Sequence, residues 1–142
     1  DEQQRVFYNR SPDLDRIIAS SRIVILSIED VYRDETVIAE MAKSIPILVV
    51  TEGANGSRVY WNGGMQKFPS PRKEVTDTTG AGDIYAAAFM SRYIQTQDPW
   101  EAGPFASIIA AESVTRLGIS GVPTPEEASC TVEKILNLKK SQ

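Results

Sequence analysis

Asp77-Thr78-Thr79-Gly80-Ala81-Gly82-Asp83, entered from the extended run Lys73-Glu74-Val75-Thr76 and followed by the apolar Ile84-Tyr85-Ala86-Ala87-Ala88-Phe89-Met90, decides how this chain is read. A glycine-punctuated turn that opens a buried helix leaves its first backbone N–H groups without intrahelical partners, facing whatever lies in front of them. Such a turn is a site for an anion. Gly80 and Gly82 flank Ala81, so no bulky side chain keeps a ligand from the backbone, and phosphate is the expected guest.

Asp83 admits two readings. Its carboxylate can serve as a general base beside the anion site, the pairing that phosphoryl transfer to an alcohol requires. Equally, an acidic residue in a first helical turn complements the helix dipole.

The string from Asp77 to Asp83, with an aromatic residue two positions later at Tyr85, resembles the C-terminal signature of the PfkB family of carbohydrate kinases, which have the ribokinase-like fold. Further matches on both sides extend the resemblance over residues 22–125. It implies an α/β chain, the C-terminal part of a three-layer αβα domain with a mostly parallel sheet plus a β-hairpin. Residues 1–142 would then be the nucleotide-binding and catalytic half of a kinase domain. ATP is the implied phosphoryl donor, Asp83 the implied base, and the amides of Gly80, Ala81, Gly82 and Asp83 the implied anion hole.

Three other segments carry the resemblance outward. Thr51-Glu52-Gly53-Ala54-Asn55-Gly56 ends an apolar run, where open α/β sheets gather ligands. It resembles the family segment whose threonine and glycines contact the nucleotide, which implies that role for Thr51, Gly53 and Gly56. A plain glycine-marked turn is the other reading of this composition. Ser27-Ile28-Glu29-Asp30 stands where the family carries an Asn-x-x-Glu element that organises Mg²⁺ and phosphate through water. Ser27 keeps polarity without the amide and Asp30 keeps charge with a shorter reach, so a solvated strand end competes with a magnesium role. Ser113-Val114-Thr115-Arg116-Leu117-Gly118 resembles the late helix-to-loop segment that borders the adenine. In some members this segment contributes carbonyls to a monovalent cation site, K⁺ for example, together with the residues matching Asp77 and Thr79. That implies a nucleotide contact for Ser113 and cation ligation by Asp77, Thr79, Arg116 and Gly118. Val122 falls where a serine ligand is sometimes found, and a helix end capped by Gly118 accounts for the same residues.

Composition narrows the chemistry. With 142 residues, 42% apolar and 24% charged, the chain suits one domain with a sizeable core. A formal net charge of −4 without a basic block argues against nucleic acid as a partner. No apolar run reaches membrane-span length and no signal-peptide pattern is present, so a cytoplasmic location is the expectation. The absence of histidine and a lone Cys130 disfavour a zinc site and a histidine-based triad. Cys130 falls in a predicted helix and is expected to pack inward.

Taken in order, Val6-Phe7-Tyr8 suggests a short strand, and Ser11-Pro12 a helix start with Ser11 as N-cap. Ile23-Val24-Ile25-Leu26 and Ile47-Leu48-Val49-Val50 read as strands buried on both faces, joined through a helix over 34–44 that turns Val37, Ile38 and Met41 inward. Strand, helix, strand is the βαβ pattern. A strand over 57–61, a turn at Asn62-Gly63-Gly64 and a partner over 65–68 predict a hairpin. The motif helix should reach about residue 95. A helix over 100–117 shows amphipathic spacing through Ala102, Phe105, Ala106, Ile109, Ala110, Ser113, Val114 and Leu117. Thr124-Pro125-Glu126-Glu127 has capping-box spacing and opens a final helix to about residue 138.

The family's N-terminal half, which supplies acceptor-binding residues and a small β-sheet lid, has no counterpart here. The 142-residue chain is therefore expected to be inactive by itself, with a sheet edge that invites homodimerisation. Three readings stay open: the catalytic half of a sugar, polyol or nucleoside kinase, a non-catalytic nucleotide- or phosphate-binding module, and a structural fragment used in dimerisation.

Overall fold

Ile47-Leu48-Val49-Val50 forms the spine of the sheet, each residue at most 3% exposed, because helices cover both of its faces. Burying one such side chain fully contributes about 1.5–3 kcal/mol, so this short strand anchors both layers. The computed structural model describes residues 13–140. They form α1 (Leu14–Ser20), β1 (Ile23–Ser27), α2 (Glu35–Ser44), β2 (Ile47–Thr51), β3 (Ser57–Trp61), β4 (Gly64–Phe68), α3 (Ala81–Thr96), α4 (Pro99–Ser113) and α5 (Pro125–Lys140). Short 3₁₀ turns occupy Ile28–Val31, Gly53–Asn55 and Gly118–Gly121.

The sheet order is β1-β2-β3-β4. β1 and β2 pair in parallel, Ile23 opposite Ile47, as a helical connection through α2 requires. β3 and β4 continue the sheet antiparallel, so the sheet of the described residues is mixed, with the hairpin forming one side. Asn62 and Gly63 both have positive φ, 51° and 74°, as a two-residue primed hairpin turn demands. Gly64 belongs to β4 rather than to the turn.

Alternate residues face the two helical layers. Leu48 and Val50 pack with Val24, Leu26 and Ile38 beneath α2, while Ile47, Val49 and Val59 pack with Phe89, Ala106 and Ile109 beneath α3 and α4. This is the αβα sandwich. Its helices start on capped turns: Asp34, just before α2, accepts the amides of Thr36 and Val37 at 2.9 and 3.3 Å. Thr124 and Glu127 exchange the two capping-box bonds, 2.8 Å to the Thr124 amide and 3.2 Å from the Glu127 amide.

Several expectations need correcting. The Val6–Tyr8 strand and the Ser11-Pro12 helix start lie outside the described residues, and α1 begins at Leu14 with Asp13 at its N-cap. β1 is half-buried along its whole length, because β2 covers one edge only and no strand pairs with the other among the described residues. The fourth helix ends at Ser113, and Leu117 is 69% exposed. Nor is it one-sided: Gly103, Ser107, Ala111 and Ser113 are buried along with Ala102, Phe105 and Ile109. α4 lies against α3, α5, β3 and β4, so nearly its whole circumference is covered. Cys130 is exposed, on the outer side of α5. No helix of the described residues is long and apolar enough to cross a membrane.

Candidate active site

The turn that precedes α3 hangs from the end of α4. The amides of Thr76 and Asp77 donate to the carbonyl of Val114 at 2.7 and 3.1 Å. One Asp77 carboxylate oxygen accepts the Thr79 amide at 2.9 Å and the other accepts the Gly118 amide at 3.0 Å. These bonds, Thr79 first and Gly118 second, hold the Asp77 carboxyl below its ordinary value of 3.8. Asp77 and Gly118 do come together, but through direct hydrogen bonds. The Arg116 guanidinium pairs with Glu127 at 3.1 Å, whereas the cation ligand that the resemblance implies at this position is its main-chain carbonyl.

Because the folded-state shift is downward, the contribution of Asp77 to stability is present above 3.8 and is lost as pH falls through the lowered value. Asp77→Asn should melt below the parent near neutral pH, with the gap closing in acid below about pH 4. Melting curves of both chains across that range check this, and a gap independent of pH would contradict it.

Gly80 caps α3 in the left-handed region, φ 77°. The Ala81 amide donates to the Thr78 carbonyl at 3.2 Å, and Ile84 makes the first i−4 bond, to Gly80, at 2.9 Å. The amides of Gly80, Gly82 and Asp83 have no acceptor among the described residues, so the open donors are three rather than the four expected. A Cβ built on Gly80 or Gly82 would meet no atom within 4 Å. No side chain or backbone crowds the Cα of either glycine, so a ligand can approach the main chain closely there. Gly82→Ala should therefore fold normally while weakening anion binding, because the added methyl enters open space that a ligand would use. Titration with ADP and a melting curve on the same sample separate the two effects.

Facing this turn are the ends of β1 and β2. Ser27, Thr51, Gly53 and Gly56 on one side and Thr78, Ala81 and Gly82 on the other line a single cleft of about 550 Å³. The cleft brings together segments 50 residues apart in the chain, as ligand sites at strand ends do. Thr51 donates its hydroxyl to the Leu26 carbonyl at 3.4 Å, which ties the two strand ends. The turn after β2 is closed by the Glu52 amide on the Gly56 carbonyl at 2.7 Å. Gly56 adopts φ 93°, and a Cβ there would fall 2.0 Å from the Phe68 carbonyl oxygen, so the position admits glycine alone.

The remaining assigned residues divide. Ser27 and Asp30 form a capping box around a 3₁₀ turn, with Asp30 accepting the Ser27 amide at 2.8 Å and Ser27 accepting the Glu29 amide at 3.3 Å. Ser27 lines the cleft and Asp30 does not. Ser113 is 4% exposed with its hydroxyl on the Ala110 carbonyl at 2.8 Å; its neighbours Val114, Ala110 and Ala111 line the cleft in its place. Asp83 is exposed and has no ion pair among the described residues. It opens onto a second hollow of about 430 Å³, bounded by Ile84, Ala87, Phe105, Ile109 and Val122. Gly82 and Asp83, adjacent in the chain, thus line two different hollows.

Sequence reasoning missed the third wall. Ser70, Pro71, Arg72, Lys73 and Val75 line the cleft, although their composition reads only as a polar link over 69–74 running into the extended stretch 73–76. The signal was their adjacency to the motif. Tyr85 forms part of the floor, 4% exposed, and donates to Ser57 at 2.8 Å. Burial pushes its phenol up to about 12, against the pull of Ser57 and Ser107, so it stays protonated.

Comparison with known proteins places this geometry. Residues 17–126 match the model of the pfkB family carbohydrate kinases. The chain is 29% identical over 119 residues to a probable fructokinase-5 of Arabidopsis thaliana, covering 78% of this chain and 37% of that protein. The crystal structure of the Methanocaldococcus jannaschii nucleoside kinase, an archaeal member of the ribokinase family, superposes with a TM-score of 0.72 at 26% identity, over 85% of this chain and 42% of that one. A putative ribokinase II from E. coli, solved in complex with ATP and Mg²⁺, superposes with a TM-score of 0.75 at 23% identity, over 85% and 42%. The chain spans less than half the length of these relatives.

Proposed function

Because the chain belongs to the pfkB family of carbohydrate kinases, we propose that it is the nucleotide-binding and catalytic part of an enzyme that transfers a phosphoryl group from ATP to a hydroxyl of a sugar, polyol or nucleoside. The observation that carries this reading is the cleft that sets the strand-end residues Thr51, Gly53 and Gly56 against Gly82 and the open first turn of α3. Gly80, Gly82 and Asp83 offer their amides to the transferring phosphoryl oxygens, an electrostatic stabilisation that needs no reorganisation. Asp83 takes the hydroxyl proton as the acceptor oxygen bonds to the terminal phosphorus. The bond from that phosphorus to the bridging oxygen breaks, and ADP leaves with the electron pair.

One oxygen of Asp30 accepts the Ser27 amide. Mg²⁺ in phosphoryl-transfer sites is held by one or two carboxylates with substrate phosphates and water, so Asp30 would hold it through water from the strand end, where the ion would neutralise phosphate charge. Both oxygens of Asp77 accept amides, so hydrogen bonds brace the turn where the resemblance implies a monovalent cation.

A screen of sugars, polyols and nucleosides with ATP on the intact protein, following ADP release, tests the reading. Acceptor-dependent release supports it, and nucleotide binding without turnover on any alcohol supports the alternative, a non-catalytic nucleotide-binding module. The Ser27–Asp30 capping box favours that alternative, because it gives Asp30 a structural task. For residues 1–142 alone, the expected result is no acceptor-dependent ADP release. The half-buried β1 with its open edge favours self-association of that chain, which sedimentation would show as a dimer.

A further inference from the structure

Arg58 is 6% exposed as the second residue of β3, opposite Val50, on the face covered by α2. A cation there needs partners, and it finds them on three elements. Its Nη1 and Nη2 donate to the two carboxylate oxygens of Glu35, in the first turn of α2, at 2.7 and 3.0 Å. Nη1 also donates to the Tyr60 hydroxyl at 3.1 Å. Nε lies 2.8 Å from Glu52 Oε1, close enough for an ion pair although not in hydrogen-bonding alignment.

The two carboxylates are not equivalent. Glu35 is 63% exposed at its side chain and belongs to the outer helix. Glu52 is 17% exposed and belongs to the turn that forms the cleft wall between Thr51 and Gly56. Its main chain closes that turn through the Gly56 carbonyl, and its side chain is held from below by Arg58. Apolar residues of similar volume often replace a buried ion pair with no loss of stability, so stability by itself gives weak reason for an arginine here. Fixing one position of an otherwise exposed turn gives a better one.

We propose that Arg58, acting through Glu52, is a positioning residue that holds turn 51–56 in the shape the nucleotide meets. The proposal rests on the nucleotide reading of the cleft, and its test has an arm that does not. In the 142-residue chain, ADP affinity is measured by calorimetry for Arg58→Met, Glu52→Gln and Glu35→Gln, with melting curves for each. Amide exchange is followed at Asn55 and Gly56, whose N–H groups are bonded within the turn.

Arg58→Met and Glu52→Gln are expected to weaken ADP binding about 5–20-fold and to speed exchange at both amides, with little further loss in the double variant. Glu35→Gln, which unties only the outer helix, should leave affinity within about 2-fold even where it lowers the melting temperature. Unchanged affinity and exchange in Glu52→Gln, or equal losses in Glu35→Gln and Glu52→Gln, would overturn the proposal. Should the parent chain bind no ADP, the nucleotide reading fails, and exchange at Asn55 and Gly56 still decides whether Arg58 sets the turn.

Discussion

Asp83→Ala in the intact enzyme is expected to lower turnover by about 10²–10⁴-fold, the usual effect of losing a general base, while ADP affinity stays close to the parent's. The separation follows from the geometry, since Asp83 faces the second hollow and is absent from the cleft that Thr51, Gly53 and Gly82 line. A carboxylate that only complements the helix dipole contributes about 0.3–1 kcal/mol to stability and nothing to the proton transfer. Steady-state kinetics with saturating acceptor, beside a melting curve, tell the two apart. Near-normal turnover with a lowered melting temperature would leave Asp83 as a helix-end charge.

Gly56→Ala is expected to be the most damaging single methyl group in the chain. The position combines φ 93°, ψ −130° with a Cβ that would fall 2.0 Å from Phe68 O, 2.7 Å from Ser70 N and 2.8 Å from Pro69 Cα. All three obstacles are backbone, so no side-chain rotation relieves them. Strained backbone alone costs about 1–3 kcal/mol, and displacing the end of β4 adds to it, so a loss above about 3 kcal/mol is expected against a total of about 5–15 for a typical domain. Gly53→Ala is the control: its φ is 58°, but the added methyl meets nothing within 4 Å, and the cost should stay near 1 kcal/mol. Urea midpoints compare them. Equal midpoints would mean that the Phe68–Ser70 segment yields freely.

What could be read in the residues was whatever local chemistry determines. The Ile47–Val50 run, the hairpin turn expected over 62–64 and the Thr124-x-x-Glu127 box each carry their structure within a few residues, and each appears as expected save that Gly64 joins β4. Failures fall where a residue's fate depends on distant neighbours. β1 has the composition of a doubly buried strand, yet its burial depends on what lies beyond its second edge. In α4, Gly103, Ser107 and Ala111 bury as readily as leucines when elements close in from several sides, so an apolar count on one face underestimated the contact.

The candidate site divides in the same way. Thr51, Gly53, Gly56 and Gly82, which the resemblance singled out, line one cleft because strand ends and a helix start are both local features. The displacement of Ser113 by Val114, and of the Ala81 amide by its bond to Thr78, depend on a helix end and one hydrogen bond that no spacing encodes.

The carboxylate of Asp77 reaches Gly118, 41 positions away, as well as the neighbouring Thr79. Residues 76–79 are therefore tied to the end of α4 and the turn after it before any ligand arrives. Nucleotide association with the proposed cleft is expected to be limited by diffusion and orientation, with no loop-ordering step.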